Sequence, residues 1–223
     1  MDKIDLLDAG FVRLIDSMGN DLSVVRAARV SYDAEWRAGT DQEGDNKLVN
    51  YLWREKHSTP FEAVTFTFEV KAPIFVFRQW HRHRTWSYNE LSARYKELPE
   101  EYYVPDLDQI TEQSTDNKQM RTTERNVNAT KIQFAMRMHN QESFRQYKKM
   151  LDYGCPRELA RTVLPVATYS HMFATVNLLN LMKFLTLRTH EHAQYEIRVY
   201  AEAMKELAKS VAPVSIAAWE RHL

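Results

Sequence analysis

Alternating apolar and polar residues mark the clearest strand of the chain. The range Val64–Val70 reads Val-Thr-Phe-Thr-Phe-Glu-Val, which places every second side chain on the same face. Tyr169–Val176 is also predicted to be a strand. Near the N-terminus, Lys3–Leu7 and Phe11–Met18 flank an Asp-Ala-Gly turn, which predicts a hairpin. Strands are therefore expected both early and late in the chain.

Apolar residues at helical spacing account for much of the remaining sequence. Asp21 is predicted to cap a first helix, and Asp45 a second one that continues to about Lys56. A long helix is expected from about Thr123 to Tyr153, where Gly154 would end it. The other predicted elements are short helices after Pro73 and Pro156, a strand at Tyr102–Val104, a mobile polar loop at Asp106–Arg121 and mostly helical structure from Leu178 onward.

Early and late strands with long helices between them predict an α+β fold, in which long helices pack on an antiparallel sheet. No linker rich in Pro, Gly or Ser divides the 223 residues, so we expect one domain covering residues 1–223. The first residues do not resemble a secretory signal, and no stretch approaches the roughly 20 apolar residues of a membrane span. The single cysteine, Cys155, permits no internal disulfide. These features predict a cytoplasmic protein with no membrane partner.

The segment Gln79–Arg94 concentrates side chains that suit a nucleotide. Its arginines offer rigid pairs of donors for phosphate oxygens, and its Trp and Tyr residues offer faces for flat rings. Lys+Arg and Asp+Glu both number 30, so the protein lacks the basic excess typical of nucleic-acid binding. The five glycines form neither a dinucleotide-binding turn nor a P-loop, so side chains would have to hold the phosphates.

Two other functions are compatible with parts of this segment. A single-stranded RNA-binding module could use its arginines and aromatic rings, although the zero net charge and the carboxylate of Glu90 argue against it. A metal-dependent nucleotide hydrolase could use the pairs His81/His83 and His190/His192. Since no cysteine or further histidine lies at ligand spacing, we expect no metal site.

The run Arg82–Arg94 resembles the signature of the flavin-dependent thymidylate synthases, R-H-R-x-x-S-x-N-x-x-S-x-R, at each of its seven fixed positions. Other blocks that resemble the family extend over nearly the whole chain, from Asn20–Ser31 to Leu187–Gln194. The resemblance implies an α+β enzyme that methylates dUMP to dTMP. Methylenetetrahydrofolate would donate the carbon, FAD reduced by NADPH would supply the hydride, and a homotetramer would share its active sites between subunits.

The resemblance also assigns residues to dUMP. Arg188 is implied to act as the catalytic residue at the N3/O2 edge of the pyrimidine, where it would favour the ionised ring and so activate C5. Arg94 would bind the phosphate, with Ala93 contributing its backbone. The complete set implied for dUMP is Gln79, Arg82, Glu90, Ser92, Ala93, Arg94, Arg161 and Arg188.

A second set is implied for the cofactor. Glu90 would lie between flavin and dUMP, and His57 would stack near the flavin and folate rings. The chain departs from some family members at Leu179, where they have arginine, and at Lys183, where they have asparagine. The complete set implied for FAD is Ser31, Thr59, Arg82, His83, Arg84, Glu90, Asn177, Lys183 and His192.

Overall fold

A five-stranded antiparallel sheet organises the molecule. The computed structural model describes residues 3–223. The strand order is β1-β2-β3-β7-β4, so the predicted N-terminal hairpin forms one edge and a short strand of the arginine-rich segment forms the other. The strands of this sheet are β1 (Lys3–Leu6), β2 (Gly10–Met18), β3 (Thr65–Pro73), β4 (Ser87–Glu90) and β7 (Tyr169–Asn177), while β5 (Thr111–Gln113) pairs with β6 (Arg121–Arg125) in a separate hairpin.

Helices cover one face of the sheet. The buried side chains of β3, Phe66, Phe68 and Val70, face a core that also contains α6 and α7 side chains. In α7 the apolar residues Ile197, Tyr200, Ala201 and Met204 recur at helical spacing, which explains why this helix packs flat on the core. The helices are α1 (Asp21–Arg29), α2 (Gln42–Arg54), α3 (Ile74–Trp80), α4 (Ala129–Asp152), α5 (Arg157–Ala160), α6 (Leu178–Arg188), α7 (Tyr195–Lys209) and α8 (Pro213–Arg221).

The architecture confirms the predicted α+β fold, but two predicted helix caps are wrong. Asn20, rather than Asp21, caps α1, and its side chain accepts a hydrogen bond from the Leu22 amide. Asp21 instead accepts from the backbone amide of Ser215 at 2.9 Å, so it caps α8 from a distant part of the sequence. Asp41 caps α2, whereas Asp45 is buried inside that helix. Long-range pairing of acidic residues explains both errors.

The region after residue 100 also differs from expectation. Tyr102 forms only an isolated bridge with Thr168 rather than a strand. The stretch Asp106–Arg121, predicted to be a loop, contains β5 and the first residue of β6. The rest of β6 lies where the long helix was expected to begin, and α4 begins at Ala129 rather than at Thr123. Gly154 follows α4 with a φ of +81°, as expected for a glycine that ends a helix. Within residues 3–223, no helix is long and apolar enough to cross a membrane.

Candidate active site

The arginine-rich segment leaves the core through α3 and returns as edge strand β4. Trp80, at the end of α3, is fully buried against Phe184 at a ring-centroid distance of 5.0 Å. The Tyr88 hydroxyl donates to the backbone carbonyls of Trp80 and His83, at 3.1 and 2.8 Å. Because Tyr88 belongs to β4, these bonds tie the turn to the sheet. The segment is therefore anchored by its aromatic residues, while its charged residues remain accessible.

Arg188, His83 and Gln79 form a cluster at the end of α6. The guanidinium of Arg188 donates through Nε to His83 Nε2 at 3.0 Å and through one Nη to the Gln79 carbonyl at 3.2 Å. Burial, reinforced by the positive charge of Arg188, lowers the pKa of His83 to about 4. The imidazole is thus neutral near pH 7, which is the form that can accept the hydrogen bond. Burial also lowers the pKa of Arg188.

Glu90, Ser92 and Arg94 follow one another at the sheet edge. Glu90 accepts a hydrogen bond of 2.6 Å from the hydroxyl of Ser170 on β7. Ser92 Oγ accepts from the Arg94 amide at 3.3 Å, which turns the chain after the strand. The Arg94 side chain is half-exposed and lies 3.6 Å from the carboxylate of Glu158, at the start of α5. Ala93 is buried between these residues.

Ser31, His57 and Thr59 line a separate cleft of about 590 Å³. Its walls include Tyr51, whose ring stacks on that of His57 with centroids 5.9 Å apart. This volume lies within the usual range for ligand pockets. The structure therefore brings together three residues predicted from distant positions in the sequence.

Several other predicted residues are exposed cations. Within residues 3–223, the side chains of Arg82, Arg84, Arg161 and Lys183 have no carboxylate partner and do not line the 590 Å³ cleft. Asn177 lies outside that cleft as well, where its side chain caps α6 by accepting from the Asn180 amide at 2.9 Å. The single chain thus presents the predicted residues on several surfaces rather than in one closed pocket.

A second cleft, of about 730 Å³, lies between the β5–β6 hairpin and the start of α7. His192 lines it, with Gln194 and Arg121. Beneath it, the buried carboxylate of Glu196 accepts a bond from Arg121 at 3.1 Å, and Gln194 donates to the same carboxylate at 2.8 Å. Neither Arg121 nor Glu196 is among the residues predicted from the sequence. The available signal was a glutamate on the apolar side of α7, four residues before Tyr200.

The histidine pairs do not form a cluster of metal ligands. The rings of His190 and His192 lie 4.7 Å apart, but His190 Nδ1 accepts a bond from the His192 backbone amide. Across residues 3–223, no group of three or more His, Cys, Asp or Glu side chains is arranged to hold a metal ion. His83 is engaged with Arg188 and Phe184 instead.

Comparison with known proteins decides the family. Residues 13–214 match the family model described as thymidylate synthase complementing protein. The flavin-dependent thymidylate synthase of Treponema denticola is 46% identical over an alignment of 225 residues that covers 100% of this chain and 84% of the relative. That of Thermotoga neapolitana is 48% identical over 211 residues, covering 95% and 91%.

The chain belongs to the flavin-dependent thymidylate synthase family. The predicted family, enzyme class and FAD cofactor are thereby confirmed at the family level.

A solved structure agrees with this assignment. The fold is similar to that of the UMP/dUMP methylase PolB from Streptomyces cacaoi bound with 5-Br dUMP, with a TM-score of 0.88 and 38% identity. The match covers 98% of this chain and 97% of that chain. The α+β architecture is thus the architecture of a known nucleotide methylase. The roles assigned to individual residues of this chain stay predictions.

Proposed function

We propose that this chain catalyses the reductive methylation of dUMP to dTMP, with methylenetetrahydrofolate as carbon donor and FAD reduced by NADPH as hydride source. The observation that carries the proposal is the cluster in which His83 and the Gln79 carbonyl hold Arg188. It joins the family signature to an arginine 94 residues beyond its end. The similar UMP/dUMP methylase, bound with 5-Br dUMP, supports the choice of a uridine nucleotide as substrate.

Arg188 is the residue we assign to the pyrimidine. Its two recorded partners, an imidazole nitrogen and a carbonyl oxygen, are both neutral. The guanidinium charge therefore remains available for the N3/O2 edge of the ring, where it would stabilise negative charge and raise the electron density at C5. Gln79 would hold the same nucleotide, because its backbone carbonyl already touches Arg188.

The phosphate would bind at the sheet edge. Arg94 is half-exposed, and its contact with Glu158 at 3.6 Å is long enough to be exchanged for a phosphate oxygen. We assign Ser92, the Ala93 backbone, Arg82 and Arg161 to the same nucleotide, and Glu90 to the boundary between nucleotide and flavin. The hydroxyl of Ser170, which donates to Glu90, would hold the carboxylate at that boundary.

The residues present fit a flavin dinucleotide. The 590 Å³ cleft offers a flat apolar surface at Tyr51 and His57, with the hydroxyls of Ser31 and Thr59 at its walls. When bound, FAD would supply the hydride that converts the transferred methylene to a methyl group. His57 would stack near the flavin and folate rings. The remaining residues assigned to FAD are Arg82, His83, Arg84, Glu90, Asn177, Lys183 and His192.

We also propose that the working form is a homotetramer with active sites shared between subunits, in the cytoplasm and built from a single domain, residues 1–223. Two features support the assembly. The cation-rich segment and the 590 Å³ cleft are separate in one chain, so a second chain is needed to unite them if both bind FAD. In addition, α4 exposes Phe134, Met136 and Met138, which is more apolar surface than a solvated helix requires.

Absorption spectroscopy tests the proposal directly. The purified protein should carry flavin bands, or acquire them with FAD, and the bands should bleach under NADPH. With air excluded, they should return only when dUMP and methylenetetrahydrofolate are both supplied, with dTMP as product. Parallel reactions with UMP measure how strongly the enzyme prefers the deoxynucleotide. A colourless protein that ignores FAD but binds single-stranded RNA or zinc would refute the assignment.

A further inference from the structure

Gln79 is connected to a buried carboxylate through a chain of side-chain hydrogen bonds. Its Nε2 donates to Gln194 Oε1, and Gln194 Nε2 donates to Glu196 Oε2 at 2.8 Å. Glu196 is only 2% exposed. Its other oxygen accepts from the Tyr103 hydroxyl at 3.2 Å and from Arg121 at 3.1 Å. Three groups, Gln194, Tyr103 and Arg121, thus converge on one side chain that the proposed chemistry does not use.

The chemistry of these groups fixes the direction of every bond in the chain. An ionised carboxylate only accepts hydrogen bonds, whereas an amide side chain has one donating end and one accepting end. Arg121 forms an ion pair with Glu196 at 3.1 Å, and its guanidinium can only donate to the carboxylate. Burial raises the pKa of the Tyr103 hydroxyl, with help from Glu196, so that hydroxyl remains a donor. Gln194 must therefore turn its NH₂ group toward Glu196 and its oxygen toward Gln79.

The same rule then applies to Gln79. Because it faces the oxygen of Gln194, Gln79 must donate to that oxygen from its NH₂ group. The side-chain oxygen of Gln79 therefore remains available as an acceptor. No hydrogen bond to that oxygen is recorded among residues 3–223, although the Gln79 backbone carbonyl lies next to the guanidinium of Arg188.

We infer that Glu196 is a positioning residue that, through Gln194, makes Gln79 present a hydrogen-bond acceptor to the nucleotide. Arg188 would offer donors beside it, so Arg188 would bind acceptor groups of the substrate and Gln79 would bind a donor group. The ligand group that meets Gln79 is then a donor, such as a sugar hydroxyl. This inference rests on the proposed function, in which Gln79 binds dUMP.

Replacing Glu196 by Gln should reverse the direction of the hydrogen bonds from Gln79 through Gln194 to position 196, without changing the size of the side chain. Tyr103 and Arg121 both donate, so they would hold the new amide oxygen and turn its NH₂ group toward Gln194. Gln194 and then Gln79 would have to turn over, and Gln79 would present NH₂ to a substrate donor. We expect about a tenfold rise in the KM and the dissociation constant for dUMP, the usual range for one lost hydrogen bond. Flavin content and kcat at saturating dUMP should change far less.

A second substitution should restore binding. In the double variant E196Q/Q79E, the carboxylate at position 79 accepts from the reversed Gln194 and still offers an oxygen to the substrate. The dissociation constant for dUMP should therefore be lower than in either single variant. Q79E alone should bind poorly, since its carboxylate would face the oxygen of Gln194. A purely structural role for Glu196 does not predict this rescue.

Three further variants separate the effect of the hydrogen-bond relay, defined as the series Gln79–Gln194–Glu196, from other effects. Glu206→Gln, on the exposed side of the same helix, should behave as wild type. Arg121→Gln removes the ion pair with Glu196 but leaves the carboxylate facing Gln194. If it raises the dUMP KM as much as E196Q, the effect comes from the β5–β6 hairpin and the inference is wrong. Gln194→Ala cuts the chain at an exposed residue, so it tests the relay even if E196Q does not fold.

The outcomes distinguish this inference from the proposed function. Wild-type protein that neither binds dUMP nor forms dTMP overturns the proposed function. Wild-type activity with unchanged dUMP binding in E196Q overturns the relay alone, and so does a double variant that binds no better than the single variants. A rise in KM for E196Q, its recovery in the double variant and normal behaviour of E206Q would support the relay.

Discussion

The neutral state of His83 makes a testable contribution to stability. Its pKa is lowered from 6.5 to about 4, first by burial and second by Arg188. In the unfolded chain the imidazole takes up a proton near its ordinary pKa, whereas in the folded protein it stays neutral until much lower pH. The unfolded state therefore binds more protons between these two values, so stability must fall as the pH drops through this window.

The magnitude follows from the shift. Lowering the pKa of His83 from 6.5 to about 4 would correspond to about 3 kcal/mol of folding free energy if it were fully expressed, at roughly 1.4 kcal/mol per pKa unit. His83 is only half-buried, so solvent screening reduces the figure to about 1.5 kcal/mol. Between about pH 7.5 and about pH 5, we expect His83 to account for a loss of about 1 kcal/mol in the free energy of unfolding.

His83→Gln isolates this contribution. The glutamine oxygen can still accept from Arg188, but the side chain takes up no proton. Urea unfolding, followed by circular dichroism at one fixed protein concentration, should show a smaller loss of stability with acid in the variant than in wild type. His139→Gln, on an exposed position of α4, controls for the loss of an imidazole as such. Equal pH dependence in wild type and H83Q would show that His83 is not held neutral by the fold.

Three further substitutions test other contacts. Arg188→Ala should abolish dTMP formation while flavin absorbance persists; loss of the flavin would place Arg188 at the cofactor instead. Arg94→Ala should raise the dUMP dissociation constant about 10- to 150-fold, since a charge-assisted bond contributes about 1.5–3 kcal/mol, whereas Glu158→Gln should not weaken binding. Asp21→Ala removes the acceptor for two α8 amides and should lower the free energy of unfolding by about 1–2 kcal/mol in urea titrations, and an unchanged midpoint would contradict that role.

Local pattern was sufficient for the elements that depend on local chemistry. The alternation in β3 and the glycine after α4 are signals that lie within a few residues of the structure they predict. Both predictions are confirmed. The caps at Asp21 and Asp45 were wrong because each carboxylate serves a distant partner. Asp21 binds the start of α8, and Asp45 pairs with Arg29 at 2.6 Å. No residue spacing in the sequence predicts such contacts between a carboxylate and a partner far away in the chain.

The candidate site shows the same division. The signature identified which side chains are chemically active, because their types and spacing are specific. It could not show that Arg188 would meet His83 and Gln79, since 105 residues separate Arg188 from His83. Nor could it reveal Glu196, whose importance lies in its burial and in the direction of the bonds it accepts. Both the contacts of Arg188 and the role of Glu196 depend on residues that are far apart in the sequence and close only in the folded structure.

The partners of Arg188 explain how one arginine can serve a reaction that develops negative charge. Among residues 3–223, no carboxylate lies within ion-pair distance of its guanidinium, and its recorded acceptors are His83 Nε2 and the Gln79 carbonyl. A carboxylate would hold the side chain equally well, but it would cancel the charge. Neutral acceptors fix its orientation and leave the charge for the substrate. The lowered pKa of His83 is therefore part of the same arrangement, because a protonated imidazole would neither accept the bond nor tolerate Arg188 beside it.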